Sequence, residues 1–199
     1  MPGDERLVVG PGRLIVVSGP SGVGKDTVLR ELFRVEPRLR YSVSYTTRAP
    51  RPGERDGASY SFVDEDTFRQ MVERDEFLEW AEIYGQRYGT SLQRVRDAVE
   101  RGEDVVLKID VQGAARVRER VAGDAVFIFL LPPHPEDLRR RLKQRATEDE
   151  SSAEIRYATA VSELAEQEKY DHKVVNDDVE RAAREILQII DRGRGRISG

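Results

Sequence analysis

The sequence predicts an α/β fold, a parallel sheet flanked by helices, and three observations lead there. Short apolar runs bounded by turn residues alternate with segments of helical period. Three of those runs, 14–18, 105–110 and 125–131, read as buried strands, and the last is apolar almost without a break. A chain of 199 residues is long enough for one core with insertions and needs no covalent staples.

The elements follow in order. A strand over 14–18 precedes a helix over 25–36 that Pro37 ends. Residues 41–45 are β-rich, and 48–57 hold two Pro, two Gly and several charges, the composition of a turn-dense loop. A strand at 60–63 leads to a helix over 64–74, with Asp64 placed to cap it. Residues 77–84 and 86–88, split by Gly85, predict a small hairpin. A helix over 91–101 stops at Gly102, and the strand at 105–110 feeds a helix over 111–121. After the strand at 125–131, Pro132 and Pro133 close the run, and 135–145 is a strongly basic helix. A polar break at 146–152 separates it from a helix over 153–170, a short strand at 173–175 and an amphipathic helix over 179–191.

Residues 44–91 have short strands and few aliphatic runs, so they read as a small mixed α+β region inserted in the core. The expected layout is a core of 13–43 and 92–192, with frayed tails at 1–12 and 193–199.

Composition excludes several chemistries. There is no Cys, hence no disulfide, thiolate metal site or thiol nucleophile. The two His, His134 and His172, are far apart in sequence and offer little to a metal cluster or a Ser-His relay. A net charge of −4 argues against binding polymeric nucleic acid. No run approaches a membrane span or a signal peptide, so the expected compartment is the cytoplasm, without membrane contact. Nothing indicates an obligate protein partner. Of 33 basic residues only five are Lys, at 25, 108, 143, 169 and 173.

Between the first strand and helix lies Gly19-Pro20-Ser21-Gly22-Val23-Gly24-Lys25-Asp26-Thr27. Amides of such a loop point at phosphate oxygens, the helix adds its positive end, and the Lys reaches the outer phosphates. With this composition, G-x-x-x-x-G-K arises by chance about 0.03 times in such a chain. The fold is therefore expected to be a P-loop nucleoside-triphosphatase core, and the loop alone says only that it binds a nucleoside triphosphate. Asp26 stands where a hydroxyl residue normally holds Mg²⁺; it either takes the metal itself or leaves it to Thr27 and water. A bare carboxylate would repel phosphates, which predicts a strict Mg²⁺ requirement that relaxes in Asp26→Ser. Asp110, at the carboxyl end of a buried strand, would hold Mg²⁺ through water, accept from the acceptor substrate, or simply cap the next helix. Arg48 and Arg51, on a Pro-stiffened loop near Tyr60, suit a phosphate clamp, or equally a solvated basic loop.

The segments GPSGVGK, SVSYTTRAPRPGE, DGASYSFV, FLEWAEIYGQRYGT, IDVQGA, LPP and VVND occur in order. In this the chain resembles the guanylate kinases from about Leu14 to Leu187. The resemblance implies an inserted GMP-binding region and a short helical lid at 141–158. It further implies that Ser44, Arg48, Arg51, Tyr60 and Tyr88 hold the GMP phosphate, with Asp110 at the same site. Glu79 and Thr90 would read guanine: a carboxylate accepts the N1–H and N2–H₂ donors, and a hydroxyl serves O6. Arg141, Arg145 and Arg156 would be lid arginines, the first two sharing one helical face, and Asn176 would lie beside adenine. Lys108 and Ala146 depart from the family pattern.

The activity implied is transfer of the γ-phosphoryl of Mg·ATP to GMP, and to dGMP, with Lys25, Arg48, Arg141, Arg145 and Arg156 neutralising charge. Two other readings stand beside it. A sugar-phosphate (ribose bisphosphate) kinase shares Gly-Lys-Asp followed by a hydroxyl residue, and a non-catalytic module of this kind would bind a protein partner instead.

Overall fold

The computed structural model describes residues 7–8, 11–122, 125–145 and 150–194, without the side chains of 7, 8, 122, 143–145, 150–153 and 194. In chain order the elements are β1 (Leu7–Val8), β2 (Leu14–Ser18), α1 (Lys25–Val35), β3 (Arg40–Tyr41), β4 (Tyr45–Thr46), β5 (Ser61–Phe62) and α2 (Glu65–Glu73). There follow β6 (Phe77–Ile83), β7 (Gln86–Ser91), α3 (Leu92–Glu100), β8 (Val105–Lys108), α4 (Val111–Arg120), β9 (Val121–Ala122) and β10 (Ala125–Leu131). The last are α5 (Pro135–Arg145), α6 (Glu150–Leu164), a 3₁₀ turn (Ala165–Lys169), β11 (His172–Val175) and α7 (Val179–Arg194).

The larger sheet runs β11-β10-β2-β8-β3, and β10–β11 and β3–β8 pair in parallel. The smaller runs β5-β4-β7-β6 and is mixed, with β4 parallel to β5 and antiparallel to β7. The expected parallel sheet flanked by helices, with an added mixed sheet, is the architecture found.

The chain forms two compact units. The first comprises Met1–Leu14, Arg40–Leu107 and Gln112–Ala125. Its mixed sheet is held by Phe68, Met71 and Phe77, with Tyr45, Val63, Val72 and Trp80 packed around them. The Phe68 and Phe77 rings stack at 4.6 Å. Elsewhere in this unit the guanidinium of Arg13 grips Asp104 with two hydrogen bonds of 2.7 and 3.1 Å, both side chains nearly buried. The second comprises Ile15–Leu39, Lys108–Val111 and Val126–Gly199. Here α1 packs on α7 and α5 on α6, over a core that includes Ile15, Val17, Leu32, Ile128, Phe129 and Ile186.

Local chemistry sets the boundaries. Asp64 accepts the Thr67 N–H at 2.7 Å and caps α2 as expected, and the Ser91 hydroxyl does the same for α3 from Arg94. Gly102, at φ 80°, ends α3.

Several expectations need correction. The unit holding the expected insertion at 44–91 is wider, because α3 packs on β6 and the chain on either side of that insertion belongs with it. The expected tail at 1–12 contains β1, which pairs in parallel with β9. The strand expected at 41–45 divides into β3 and β4, which belong to different sheets. The strand expected at 105–110 stops at Lys108, and α7 continues through Arg194. The start of the expected break, 146–149, lies outside the described residues, as do 1–6 and 195–199.

Candidate phosphotransfer site

In the second unit β2 ends at Ser18 and the chain turns through residues 19–24 into α1. The turn needs glycine at two points above all. Gly19 has φ 140° and Gly24 φ 100°, and a Cβ there would lie 2.5 Å from the Leu130 carbonyl oxygen and 2.6 Å from Asn176 Nδ2. Gly24 is also the N-cap of α1 and supplies no side chain to cap it, while the Thr27 and Val28 N–H groups donate to its carbonyl at 3.1 Å.

Lys25 folds back over this loop, and its Nζ donates to the carbonyls of Gly19 at 2.5 Å and Pro20 at 3.2 Å. Burial pulls its ammonium below the ordinary lysine range, while the charges of Glu163, Asp26 and Asp110 oppose that shift. The Val23 carbonyl accepts from Asn176 Nδ2 at 2.7 Å and from Arg141 Nη1 at 3.0 Å. These contacts frame a cavity of about 310 Å³ lined by Gly22, Gly24, Thr27, Arg141, Asn176 and their neighbours. The expected ATP-site residues Gly19 to Thr27 and Asn176 thus lie together with Arg141, expected as a lid arginine. Among the described residues that line the cavity Arg156, carried on α6, does not appear. Arg145 ends α5, and its side chain lies outside the described residues.

Asp26 forms an ion pair with Lys108, Nζ to Oδ1 2.5 Å. The repulsion behind the expected strict metal requirement is therefore offset by a cation. Sequence reasoning noted Lys108 without assigning it a partner, because 82 residues separate the two. It missed Glu163 altogether. The Glu163 carboxylate accepts the Ser21 N–H at 2.8 Å, so an anion already sits on the phosphate loop. Burial raises the pKa of that carboxyl, and the Ser21 amide and Lys25 partly offset the rise. An acidic residue late in a helix gives no sequence signal for such a contact.

The first unit gathers the residues expected to hold GMP apart from Asp110, which falls in the second. Glu79 and Thr90 are cross-strand partners on β6 and β7, and the Thr90 hydroxyl donates to Glu79 Oε1 at 2.5 Å. Both are buried, at 5% and 1% exposure. The Arg48 guanidinium lies 5.4 Å from the Tyr60 ring centre, and the Tyr60 and Tyr88 rings are 5.9 Å apart. Ser44 is buried, with its carbonyl taking the Ser61 N–H. Arg51 is exposed, and its backbone N–H donates to Glu54 at 2.7 Å.

Glu54 is the second missed residue. Arg48 Nη2 donates to both its oxygens, at 2.8 and 2.9 Å, so a carboxylate engages the guanidinium expected to take phosphate. That bond holds the Glu54 carboxyl below its ordinary range and raises Arg48. Arg94 is the third: it donates to the Tyr45 hydroxyl at 2.7 Å and to Ser61 Oγ at 3.0 Å, tying β4 to β5.

A glycine-framed phosphate loop in one unit, and a buried carboxylate–hydroxyl pair with Arg and Tyr in the other, define a phosphotransferase of the P-loop class. The guanylate kinase family profile matches residues 11–193, and the chain belongs to that family. It is 51% identical over 181 residues to the guanylate kinase of Rubrobacter xylanophilus, covering 91% of this chain and 94% of that one. It is 49% identical to the guanylate kinase of Caldanaerobacter subterraneus subsp. tengcongensis, covering 90% and 86%. The crystal structure of guanylate kinase from Anaplasma phagocytophilum superposes with a TM-score of 0.77 at 36% identity, covering 92% of this chain and 86% of that one.

Proposed function

We propose that this chain is an ATP:GMP phosphotransferase, moving the γ-phosphoryl of ATP to the phosphate of GMP to give ADP and GDP. The observation that carries the reading is the buried Glu79–Thr90 pair. Guanine offers two adjacent donors to one carboxylate and an O6 acceptor to a hydroxyl, whereas adenine turns an acceptor toward the same carboxylate. Family membership and the phosphate loop support the same reading.

The acceptor is already an anion, so the protein needs no strong general base. It must hold two polyanions, orient them, exclude water and neutralise the transferring group. The loop amides and Lys25 hold the ATP phosphates, with Arg141, Arg145 and Arg156 adding positive charge and Asn176 beside the base. Ser44, Arg48, Arg51, Tyr60 and Tyr88 hold the GMP phosphate. As GMP arrives, Arg48 exchanges Glu54 for phosphate oxygens, and Thr90 turns its hydroxyl from Glu79 to O6. Asp26, Thr27 and Asp110 supply the hard oxygen atoms that suit Mg²⁺, an ion that keeps most of its other ligands as water and phosphate. When bound, Mg²⁺ neutralises charge on the ATP phosphates. The assigned contacts address base and phosphate rather than ribose, so dGMP is a second acceptor. The reaction belongs to purine nucleotide metabolism in the cytoplasm. Among the described residues no helix is long and apolar enough to cross a membrane.

The test is ATP consumption measured separately with GMP, dGMP, AMP and ribose bisphosphate. Turnover is expected with GMP and dGMP, with AMP poorer by several orders of magnitude. No turnover with GMP overturns the reading, and turnover with ribose bisphosphate alone replaces it with a sugar-phosphate kinase.

A further inference from the structure

The residue after the loop lysine is Asp26, the second residue of α1, and its side chain is 71% exposed at the helix start. A carboxylate there gains from the helix dipole, yet it occupies the position where polyphosphate must approach. Lys108, at the end of β8, reaches it with Nζ 2.5 Å from Oδ1 while keeping only 15% of its own side chain exposed. The ammonium is thus held largely out of solvent beside an open carboxylate. Its field also reaches Lys25, where it opposes the charged form of that side chain.

Asp26 stands where the phosphate-loop motif has a hydroxyl residue, and the fold places the ammonium of Lys108 against it. We propose that Lys108 is a positioning residue for nucleotide binding: it neutralises and holds the Asp26 carboxylate, so that the phosphate loop accepts a nucleotide's phosphates without relying on a divalent ion to screen Asp26. The proposal rests on the reading of residues 19–27 as the nucleotide phosphate site. Its content is a coupling: an unpaired Asp26 repels phosphate, a paired one does not, and Lys108 matters through Asp26. Asp26 remains available to the metal in the Mg²⁺-loaded state, as the exchange of one cation for another at an exposed carboxylate.

Calorimetric titration of the full chain with ADP, in EDTA and in Mg²⁺, tests it in the native protein, Lys108→Met, Asp26→Ser and the double variant. Lys108→Met should weaken ADP binding in EDTA by about tenfold, the scale of one charge-assisted contact. In Mg²⁺ it should weaken binding much less, so that the ratio of the two affinities widens. The double variant should bring that ratio back toward the native value, and Lys108→Arg should preserve it. GMP affinity, read in the same samples, should stay constant and reports that each variant is folded. An unchanged ratio in Lys108→Met overturns the proposal. So does a double variant as metal-dependent as Lys108→Met, because Lys108 would then act on nucleotide independently of Asp26. Failure of the native protein to bind ADP at all would instead overturn the reading of the loop, and the proposal with it.

Discussion

Thr90 has one hydroxyl donor, and Glu79 Oε1 accepts from it across the β6–β7 pair at 2.5 Å. The pair answers a problem of burial, since a carboxylate at 5% exposure needs donors and the Thr90 hydroxyl is one. Arg48 has a similar arrangement, since its Nη2 donates to both oxygens of Glu54 and its Nη1 to the Ala49 carbonyl. On the proposed reading, both contacts make GMP binding an exchange of hydrogen-bond partners rather than a desolvation without return. Specificity at Glu79 should therefore show as a change of ratio. In Glu79→Gln the amide keeps one acceptor, gains a donor and loses the charge. We expect kcat/KM for GMP to fall by about 10²–10³-fold, and that for AMP to fall less or rise. Steady-state kinetics with both monophosphates measure it, and a variant keeping the full native preference for GMP removes Glu79 from base recognition.

At the scale of elements, the β6–β7 hairpin sets that pair. Its turn places Tyr84 at φ 52° and Gly85 at φ 72°, the left-handed geometry of a two-residue turn whose twist matches the strands it joins. Gly89, one residue before Thr90, lies against aromatic rings: a Cβ there would sit 2.7 Å from Phe77 and 3.1 Å from Phe68. Gly89→Ala must push apart a stacked pair in the centre of that unit's core. It should cost about 1–3 kcal/mol, the usual range for overpacking, as a lower urea midpoint, and GMP affinity should weaken with it. Unchanged stability would mean that the rings move aside freely. Much of this was legible in the sequence, because a hairpin broken by Gly85, a capping Asp64 and long apolar strands leave local signals. Two-residue strands such as β1, β3 and β9 have no period to read, and their partners are remote in sequence. The site divides the same way. The phosphate loop is contiguous and was legible from spacing, and the Glu79–Thr90 pair from resemblance. Glu54, Glu163 and Arg94 look like ordinary surface charges until the fold gives each a partner.

For the whole molecule, a net charge of −4 coexists with sites for two polyanions because the cations that matter are local. The residues assigned to ATP, Lys25, Arg141 and Asn176 with the loop, fall in one compact unit. Those assigned to the GMP phosphate and base, Ser44 to Thr90, fall in the other. Each ligand should thus stabilise its own unit, since a ligand that binds only folded structure protects the segments that must be folded to hold it. Hydrogen exchange on the full chain reads this directly. ADP should slow exchange at residues 19–28 and 172–178, and GMP at 44–62 and 77–91. Glu79→Gln should weaken the GMP pattern alone, and Lys25→Met the ADP pattern alone. If GMP protected the phosphate loop and left β6 and β7 unchanged, the division of the two nucleotides between the units would be wrong, whatever the turnover assay returned.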